Sequence, residues 1–281
     1  MKCAVILNPC RVNMNTVNQL CSKLDNLHID TYFCKNEERC SYKYPKLCYD
    51  ELLEKCDIII ALGGDGTILH AAKDAALLSK PVLGINAGRL GFCANIESDE
   101  LELLNKLVNG EYWVEKRNLL CVDVIDKEMS QRHYCINDAV ISKGALSRII
   151  DVDLSFKNND VLSYHSDGVI ISTPTGSTAY SLSAGGPIMY PSCSGTIITP
   201  ICAHSFLSRP LVVSADETIN ITTRCPEGCE AYLTIDGEKA ILLSETSKTV
   251  ISKADITANL IKLKDESFIH ILHEKLGNGG L

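Results

Sequence analysis

The spacing of hydrophobic positions changes near Trp113, and that change divides the chain. Before it, short apolar runs alternate with helical stripes. "CAVIL" predicts a buried first strand. Residues 14–26 place Met14, Val17, Leu20, Cys21 and Leu24 on one helical face. "IDTYF" predicts a strand, "DELLEK" a helix, and "DIIIAL" a strand apolar on both faces, as a central parallel strand is. A helix beginning near Thr67 follows, then the buried strand "PVLGIN". "SDELELLNKLVNG" opens on a Ser/Asp cap and closes on Gly, which predicts one amphipathic helix. Such alternation predicts a parallel sheet covered by helices.

Beyond Trp113 the spacing shortens to two. In "IIDVDLSF", Ile150, Val152, Leu154 and Phe156 share one face. "LLCVDVID", "DGVIISTP", "GTIITPI", "PLVVSADETINITT" and "AYLTIDG" are further strands, parted by Gly, Pro, Asn and Asp turns. Helical spacing returns only in "DESFIHILHEKL". The expected organisation is an N-terminal Rossmann-like α/β domain over residues 1–114 and a C-terminal β-sandwich-like domain over 115–250. The tail, 251–281, is expected to pack back on the first domain.

Composition narrows the class. The 281 residues suffice for one large domain or two ordinary ones, and 46% hydrophobic with 22% charged is a soluble globular balance. No apolar run approaches the ~20 residues that span a bilayer, and "MKCAVILNPCRVN" turns polar too early for a secretory signal. The expectation is a cytoplasmic protein. A net charge of −8, with no block of Lys and Arg, points away from nucleic acid. None of the 14 cysteines has C-x-x-C spacing. Cys225 and Cys229, in "CPEGC", read as a turn rather than a metal knuckle, so no protein metal site is expected and the thiols should be free.

Chemistry concentrates in a few stretches. In "GGDGT" an apolar strand runs into Gly63, Gly64 and Gly66, with a helix behind them. Glycine permits positive φ and close approach of a ligand to the backbone, and a helix N-terminus offers unpaired N–H groups. Both favour a phosphate. Asp65 cannot bind that anion, but it can serve as a base for an attacking hydroxyl or as a ligand for the metal that neutralises phosphates. A tight turn with an Asp cap explains the same residues without chemistry. "NAGRLGF", starting at Asn86, follows a second buried strand and suggests another ligand loop. "DGVIISTPTGSTAYSLSAGGP" sets hydroxyls and amides at the end of a strand, which suits a polar nucleotide, and no G-x-S-x-G elbow supports a nucleophilic serine. In "INDAVISKGALSR" the adjacent Asn137 and Asp138 could bond a base or ribose hydroxyls, or form an Asx turn at a strand start. His204 has no visible partner and reads as structural.

In this order, "GGDGT", "NAGRLGF", "NDAVISKG", "DGVIISTPTGSTAYSLSAGGP", "PICAHSFLSRP", "TIDGE" and "FIHILHEKL" resemble the bacterial-type NAD kinases along essentially the whole chain. The resemblance implies ATP-dependent phosphorylation of the adenosine ribose 2′-hydroxyl of NAD. It implies Asp65 as the proton acceptor, with Gly66 beside the substrate, and Gly63, Gly64, Gly66, Thr67 and Asn86 as the phosphate/ATP loop. Asn137 and Asp138 match the family's Asn-acidic pair that holds NAD, with Asp where Glu is frequent. Asp167 matches the acid on the nicotinamide side. Thr178, Ala179, Tyr180, Ser181, Leu182 and Ser183 match the loop around adenine and ribose. His70, Arg148 and His165 stand where the family has basic residues near the dinucleotide. Cys202 and Glu238 fall at contact positions, Glu238 where a neutral polar group is expected. The resemblance also implies Mg²⁺ or a similar divalent cation with the ATP phosphates, and a homodimer or homotetramer. Polyphosphate stays open as donor and NADH as acceptor. Since "GGDG" is shared with diacylglycerol-type lipid kinases and phosphofructokinases, a lipid kinase is the alternative enzyme; a non-catalytic dinucleotide sensor is the alternative outside enzymes.

Overall fold

Six consecutive buried residues, Ile58–Gly63, form a strand with neighbours on both sides and helices over it. The computed structural model describes residues 1–8, 12–38, 43–88, 91–127, 129–146, 148–204, 208–238 and 240–277. The chain separates into two compact units, residues 1–116 with 257–281, and 117–256.

In the first unit, β1 (Lys2–Leu7), β2 (Asp30–Cys34), β3 (Lys46–Leu47), β4 (Ile58–Gly63) and β5 (Pro81–Asn86) lie in the parallel order β3-β2-β1-β4-β5. Val5 is level with Ile60, and Gly63 with Asn86. The short β6 (Ile96–Glu97) also pairs with β5. Helices α1 (Met14–Asn26), α2 (Tyr49–Lys55), α3 (Asp65–Ala76) and α4 (Leu104–Asn109) accompany the sheet. Val17, Leu20, Cys21 and Leu24 of α1 bury against Val5, Phe33 and Ile60. Met14 does not join them; it is 49% exposed, because it is the first helical residue after the Asn13 cap, whose side chain accepts from the Thr16 amide at 2.9 Å.

Two expected elements differ. The single helix over 98–110 is a 3₁₀ turn, Leu101–Leu103, followed by α4, which stops where Gly110 turns left-handed at φ 73°. The helix after GGDG begins at Asp65, with Gly64 as its N-cap, two residues before Thr67.

The second unit is built from antiparallel strands. They are β7 (Trp113–Asp126), β8 (Met129–Cys135), β9 (Asp138–Lys143), β10 (Ile150–Ser155), β11 (Val161–Ser166), β12 (Gly168–Ser172), β13 (Gly195–Ile201), β14 (Leu211–Ser214), β15 (Ile219–Arg224), β16 (Ala231–Ile235), β17 (Ile241–Leu243) and β18 (Lys248–Lys262). The unit boundaries fall within β7 and β18. One sheet runs β14-β13-β12-β9-β16-β17; another contains β11-β10-β15-β18, and β7 pairs with β8 as a hairpin. Val152, Leu154 and Ile221 of one set join Ile141, Ile171, Ile198 and Leu233 of the other in a single core. "PLVVSADETINITT" is two strands, not one: β14 and β15 belong to different sheets, and Glu217 donates back to the Ser214 carbonyl at the turn between them. A short helix, α5 (Tyr180–Ser183), follows β12.

The tail is tied to the first unit. The end of β18 pairs with β5, Asn259 level with Pro81. Asn95 accepts from the Leu263 and Lys264 amides and donates to the Lys264 carbonyl at 3.1 Å. Helix α6 (Phe268–Gly277) buries Phe268 and Ile271. Among the described residues no cysteine forms a disulfide.

Candidate active site

At the end of β4 the chain turns straight into α3. Gly64 caps the helix in extended backbone, φ −95° and ψ −179°, and the described glycines with positive φ are Gly110, Gly185, Gly228 and Gly237. The glycines of GGDG therefore serve space rather than handedness. A Cβ on Gly63 would lie 2.8 Å from Thr67 Oγ1 and 2.9 Å from Asn8 Cβ, whereas one on Gly66 would meet nothing within 4 Å. Gly66 opens onto a cavity of about 470 Å³ lined by Asn8, Tyr49, Gly64, Thr67 and His70. Asn8 Nδ2 donates to Thr67 Oγ1 at 2.8 Å, and the Tyr49 hydroxyl donates to Asp74. With a glycine as N-cap no side chain covers the first amides, so the helix end faces the cavity uncapped.

Asp65 is the first residue of α3, and its carboxylate is held from the neighbouring loop. Phe92 N donates to Oδ2 at 2.8 Å and Cys93 N to Oδ1 at 3.0 Å. Lys275 Nζ lies 3.2 Å from Oδ2. Gly91 makes room, since a Cβ there would stand 2.2 Å from Oδ1. Arg89 and Leu90 of the same motif lie outside the described residues. Asn86, level with Gly63, is 1% exposed and gives its amide to both Glu97 oxygens, at 3.0 and 2.8 Å. Burial raises the Glu97 pKa above the usual carboxylate value.

In the second unit a cavity of about 440 Å³ is lined by Asn137, Asp138, Ala179, Tyr180, Thr234 and Asp236. Its floor is stitched together. Asp236 sits at φ 50° in the "DG" turn, and its Oδ1 accepts from the Asn137 amide at 2.8 Å and the Asp138 amide at 3.3 Å. Thr173 Oγ1 donates to the Ile136 carbonyl at 2.6 Å, and the Thr173 amide to Asn137 O. Gly176 is required there: a Cβ would lie 2.2 Å from Asn137 O. Asp138 is 5% exposed, and no described group donates to its carboxylate. Burial first, then the neighbouring Asp236 carboxylate, push its pKa up to about 7. Arg117, 3% exposed, donates to Thr175 Oγ1 at 3.4 Å and so backs the hydroxyl-rich loop.

The other sequence candidates are more dispersed. Tyr180 is exposed, while Ser181 is fully buried with its hydroxyl 2.8 Å from Thr199 Oγ1. Thr178 donates to the Thr175 carbonyl, and Leu182 and Ser183 follow in α5. Asp167 pairs with Lys143 at 2.7 Å. His165 Nδ1 lies 2.8 Å from Asp151, and its ring meets that of His204 edge-on at 6.1 Å. Arg148 donates to the Glu227 carbonyl. Cys202, at φ 46°, lines a third cavity of about 670 Å³ with His204 and Arg209; residues 205–207 of that motif lie outside the described residues. Glu238 closes the DG turn, its amide donating to Ile235 O. Asp236, Arg117, Lys275 and the 92–93 amides were missed in the sequence. The dipeptide "DG" at a strand end signals only the first of them.

An uncapped helix end and a restrained carboxylate, in a chain that also carries a cavity lined by polar side chains, are the parts a phosphotransferase acting on a nucleotide uses. Comparison with known proteins makes the class definite. The ATP-NAD kinase N-terminal domain matches residues 2–112 and the ATP-NAD kinase C-terminal domain residues 136–263. The chain belongs to the ATP-NAD kinase family. It is 43% identical over 229 residues to the NAD kinase of Caldanaerobacter subterraneus subsp. tengcongensis, covering 81% of each chain. Identity to the NAD kinase of Moorella thermoacetica is 42% over 223 residues, covering 79% of this chain and 71% of the relative. An NAD kinase from Archaeoglobus fulgidus, solved in complex with ATP, superposes with TM-score 0.76 at 25% identity, covering 99% of both chains. Yeast NADH kinase complexed with NADH gives TM-score 0.85 over 99% of this chain and 87% of that one; at 23% identity it shows the shared fold. These matches support the NAD kinase reading over the lipid kinase and the silent sensor.

Proposed function

We propose that the chain transfers the γ-phosphoryl group of ATP to the adenosine ribose 2′-hydroxyl of NAD, giving NADP. The observation that carries this reading is the Asp65 carboxylate, fixed by two backbone amides at the first turn of α3 beside the glycine-lined cavity. Asp65 accepts the hydroxyl proton as the oxygen attacks phosphorus. The amides at the start of α3, with Asn8 and Thr67, receive phosphate oxygens, and Gly66 leaves the backbone bare for them. A transfer of this kind gains its rate from positioning and charge stabilisation, which fits a site of amides and one aimed carboxylate. Asn137, Asp138, Ala179 and Tyr180 hold the adenosine end of NAD, with Asp138 accepting from ribose or adenine donors. Asp167, His165, Arg148, Cys202 and Glu238 are weaker candidates for the rest of the dinucleotide.

A divalent cation would arrive with the ATP phosphates. The described residues contain no group of three or more His, Cys, Asp or Glu side chains that could cage one, and Asp65 is the carboxylate of the phosphate loop that could meet it. Such a cation, Mg²⁺ by preference, supplies neutralising charge on the phosphate oxygens. No described helix is long and apolar enough to cross a membrane; we place the enzyme in the cytoplasm, as a homodimer or homotetramer. Purified protein incubated with NAD, ATP and Mg²⁺, and read by an NADP-specific dehydrogenase, tests the reaction; NADH and polyphosphate arms define acceptor and donor. Turnover of a lipid acceptor with none of NAD would overturn the proposal.

A further inference from the structure

The C-terminal helix reaches the residue on which the chemistry turns. In α6, Phe268, Ile271 and Lys275 are spaced i, i+3 and i+7 and share one face. Phe268 and Ile271 are 9% and 5% exposed and anchor that face. Phe268 packs on Phe92 with ring centroids 5.9 Å apart. Lys275 lies over the same Phe92 ring, Nζ 4.0 Å from its centroid, and 3.2 Å from Asp65 Oδ2. Phe92 itself donates its amide to that oxygen at 2.8 Å. Phe92 thus joins the buried helix face, the lysine and the carboxylate. The ion pair is half-sheltered, with side chains 24% and 27% exposed, so water screens it only in part.

The arrangement meets a need of the reaction. A polyphosphate brought beside a bare carboxylate is repelled by it. An ammonium on that carboxylate offsets the repulsion and fixes the side chain by a third contact beyond the two amides. Among the described residues, Lys275 is the side-chain cation that meets Asp65. We propose that Lys275 is a positioning residue for phosphoryl transfer: carried in by the tail helix, it holds the Asp65 carboxylate in its productive orientation and balances its charge against the incoming phosphates. This inference rests on Asp65 as the proton acceptor.

The test uses the full chain with Lys275→Met, Lys275→Arg, Asp65→Asn and the double variant Asp65→Asn/Lys275→Met. Methionine keeps the stem that covers Phe92 but removes the charge. Lys275→Met should unfold near the parent temperature, keep its KM for NAD within about threefold, and lose about 10- to 100-fold in kcat, the scale of a misplaced catalytic group. Lys275→Arg should regain most of that loss. The double variant should be no slower than Asp65→Asn alone, since the lysine acts through the aspartate. A Lys275→Met enzyme within about twofold of the parent kcat, alongside an inactive Asp65→Asn, overturns the lysine's role and leaves the base assignment standing. Equal losses of kcat and thermal stability in both Lys275 variants mark a structural tie and also overturn it. Asp65→Asn at the parent rate removes the base assignment. A Lys275→Met loss that persists in that background shows a lysine acting by itself, which again overturns the proposal.

Discussion

At the GGDG junction Asn8, Tyr49, Thr67 and His70 line a cavity that also meets bare backbone at Gly64 and Gly66, with the helix end uncapped and the carboxylate of the intervening Asp65 pinned by the 92–93 amides. At Asn137–Asp138 the wall is side chains and carbonyls already bonded to one another, with one buried carboxylate left over. The first region keeps donors free for an anion whose charge changes during reaction. The second fixes a shape, and keeps a single acceptor free to select what enters. Even their glycines differ: Gly66 faces open space, while Gly176 sits against a carbonyl. The difference separates turnover from recognition, and variants in the two regions should divide the same way.

The largest expected effect belongs to the first region. Asp65→Asn keeps size and turn preference but cannot take the hydroxyl proton, so kcat should fall by about 10²–10⁴. NAD affinity and melting temperature should change little, read by calorimetry and thermal unfolding on the same preparation. A folded variant with the parent kcat would break the comparison at its first term. Normal turnover restored only at high Mg²⁺ would make Asp65 a metal ligand instead.

Next comes Asp138→Ala. Loss of a hydrogen bond to a charged group costs about 1.5–3 kcal/mol, or about 10- to 150-fold in NAD affinity. The variant should lose affinity without a matching loss of kcat at saturation. Unchanged NAD affinity in a folded variant would strip this pair of its assigned part.

A pair of glycine changes sharpens the contrast. Gly176→Ala puts a Cβ about 2.2 Å from Asn137 O, a backbone atom that cannot step aside. It should destabilise the fold by about 1–3 kcal/mol, as overpacking does. Gly66→Ala meets nothing within 4 Å and lies in the first turn of α3, so the fold should hold or gain about 0.4–1 kcal/mol while the KM for ATP rises. Denaturant melts of both, with ATP kinetics on the second, check this; equal destabilisation by the two would erase the difference.

The sequence made this division legible where periodicity is strong. The run "DIIIAL" can be little but a central strand, and the alternation of Ile150, Val152 and Leu154 is kept residue for residue in the second core. It was poorest where tertiary partners decide. "QRHYC" in β8 shows no apolar stripe because it belongs to a largely exposed hairpin strand, and the 15 residues of β18 interrupt their alternation at Ser252–Lys253 and again over Asp255–Thr257, leaving no clear strand signal. The GGDG glycines suggested positive φ, yet the need is room for Thr67 and Asn8 on one side and for a ligand on the other. The site residues found in sequence are those inside short motifs. Asp236, Arg117 and Lys275 reach their partners across 98, 58 and 210 positions of chain, and no local pattern announces such contacts.

The last contrast is a pH dependence at the second region. Burial and Asp236 hold the Asp138 pKa near 7, above the usual carboxylate value of 3.8. Between those values the folded protein binds the extra proton at Asp138 and the unfolded chain does not, so the Asp138 contribution to apo stability, read as the difference from Asp138→Asn, should fall as pH rises from about 4 to 7 and level off above. NAD binding should run the other way. Ribose and adenine donors need the ionised carboxylate, so affinity should strengthen as pH rises from 6 towards 7.5, by up to about tenfold per unit below the pKa. Calorimetry in buffers of different ionisation enthalpy should then show up to about one proton released per NAD below pH 7. Asp138→Asn should flatten both trends at once, whereas a change elsewhere would flatten at most one. If the Asp138 contribution to apo stability and NAD affinity rose together across this window, the carboxylate would be paired with an unseen donor, and the second region would resemble the first after all.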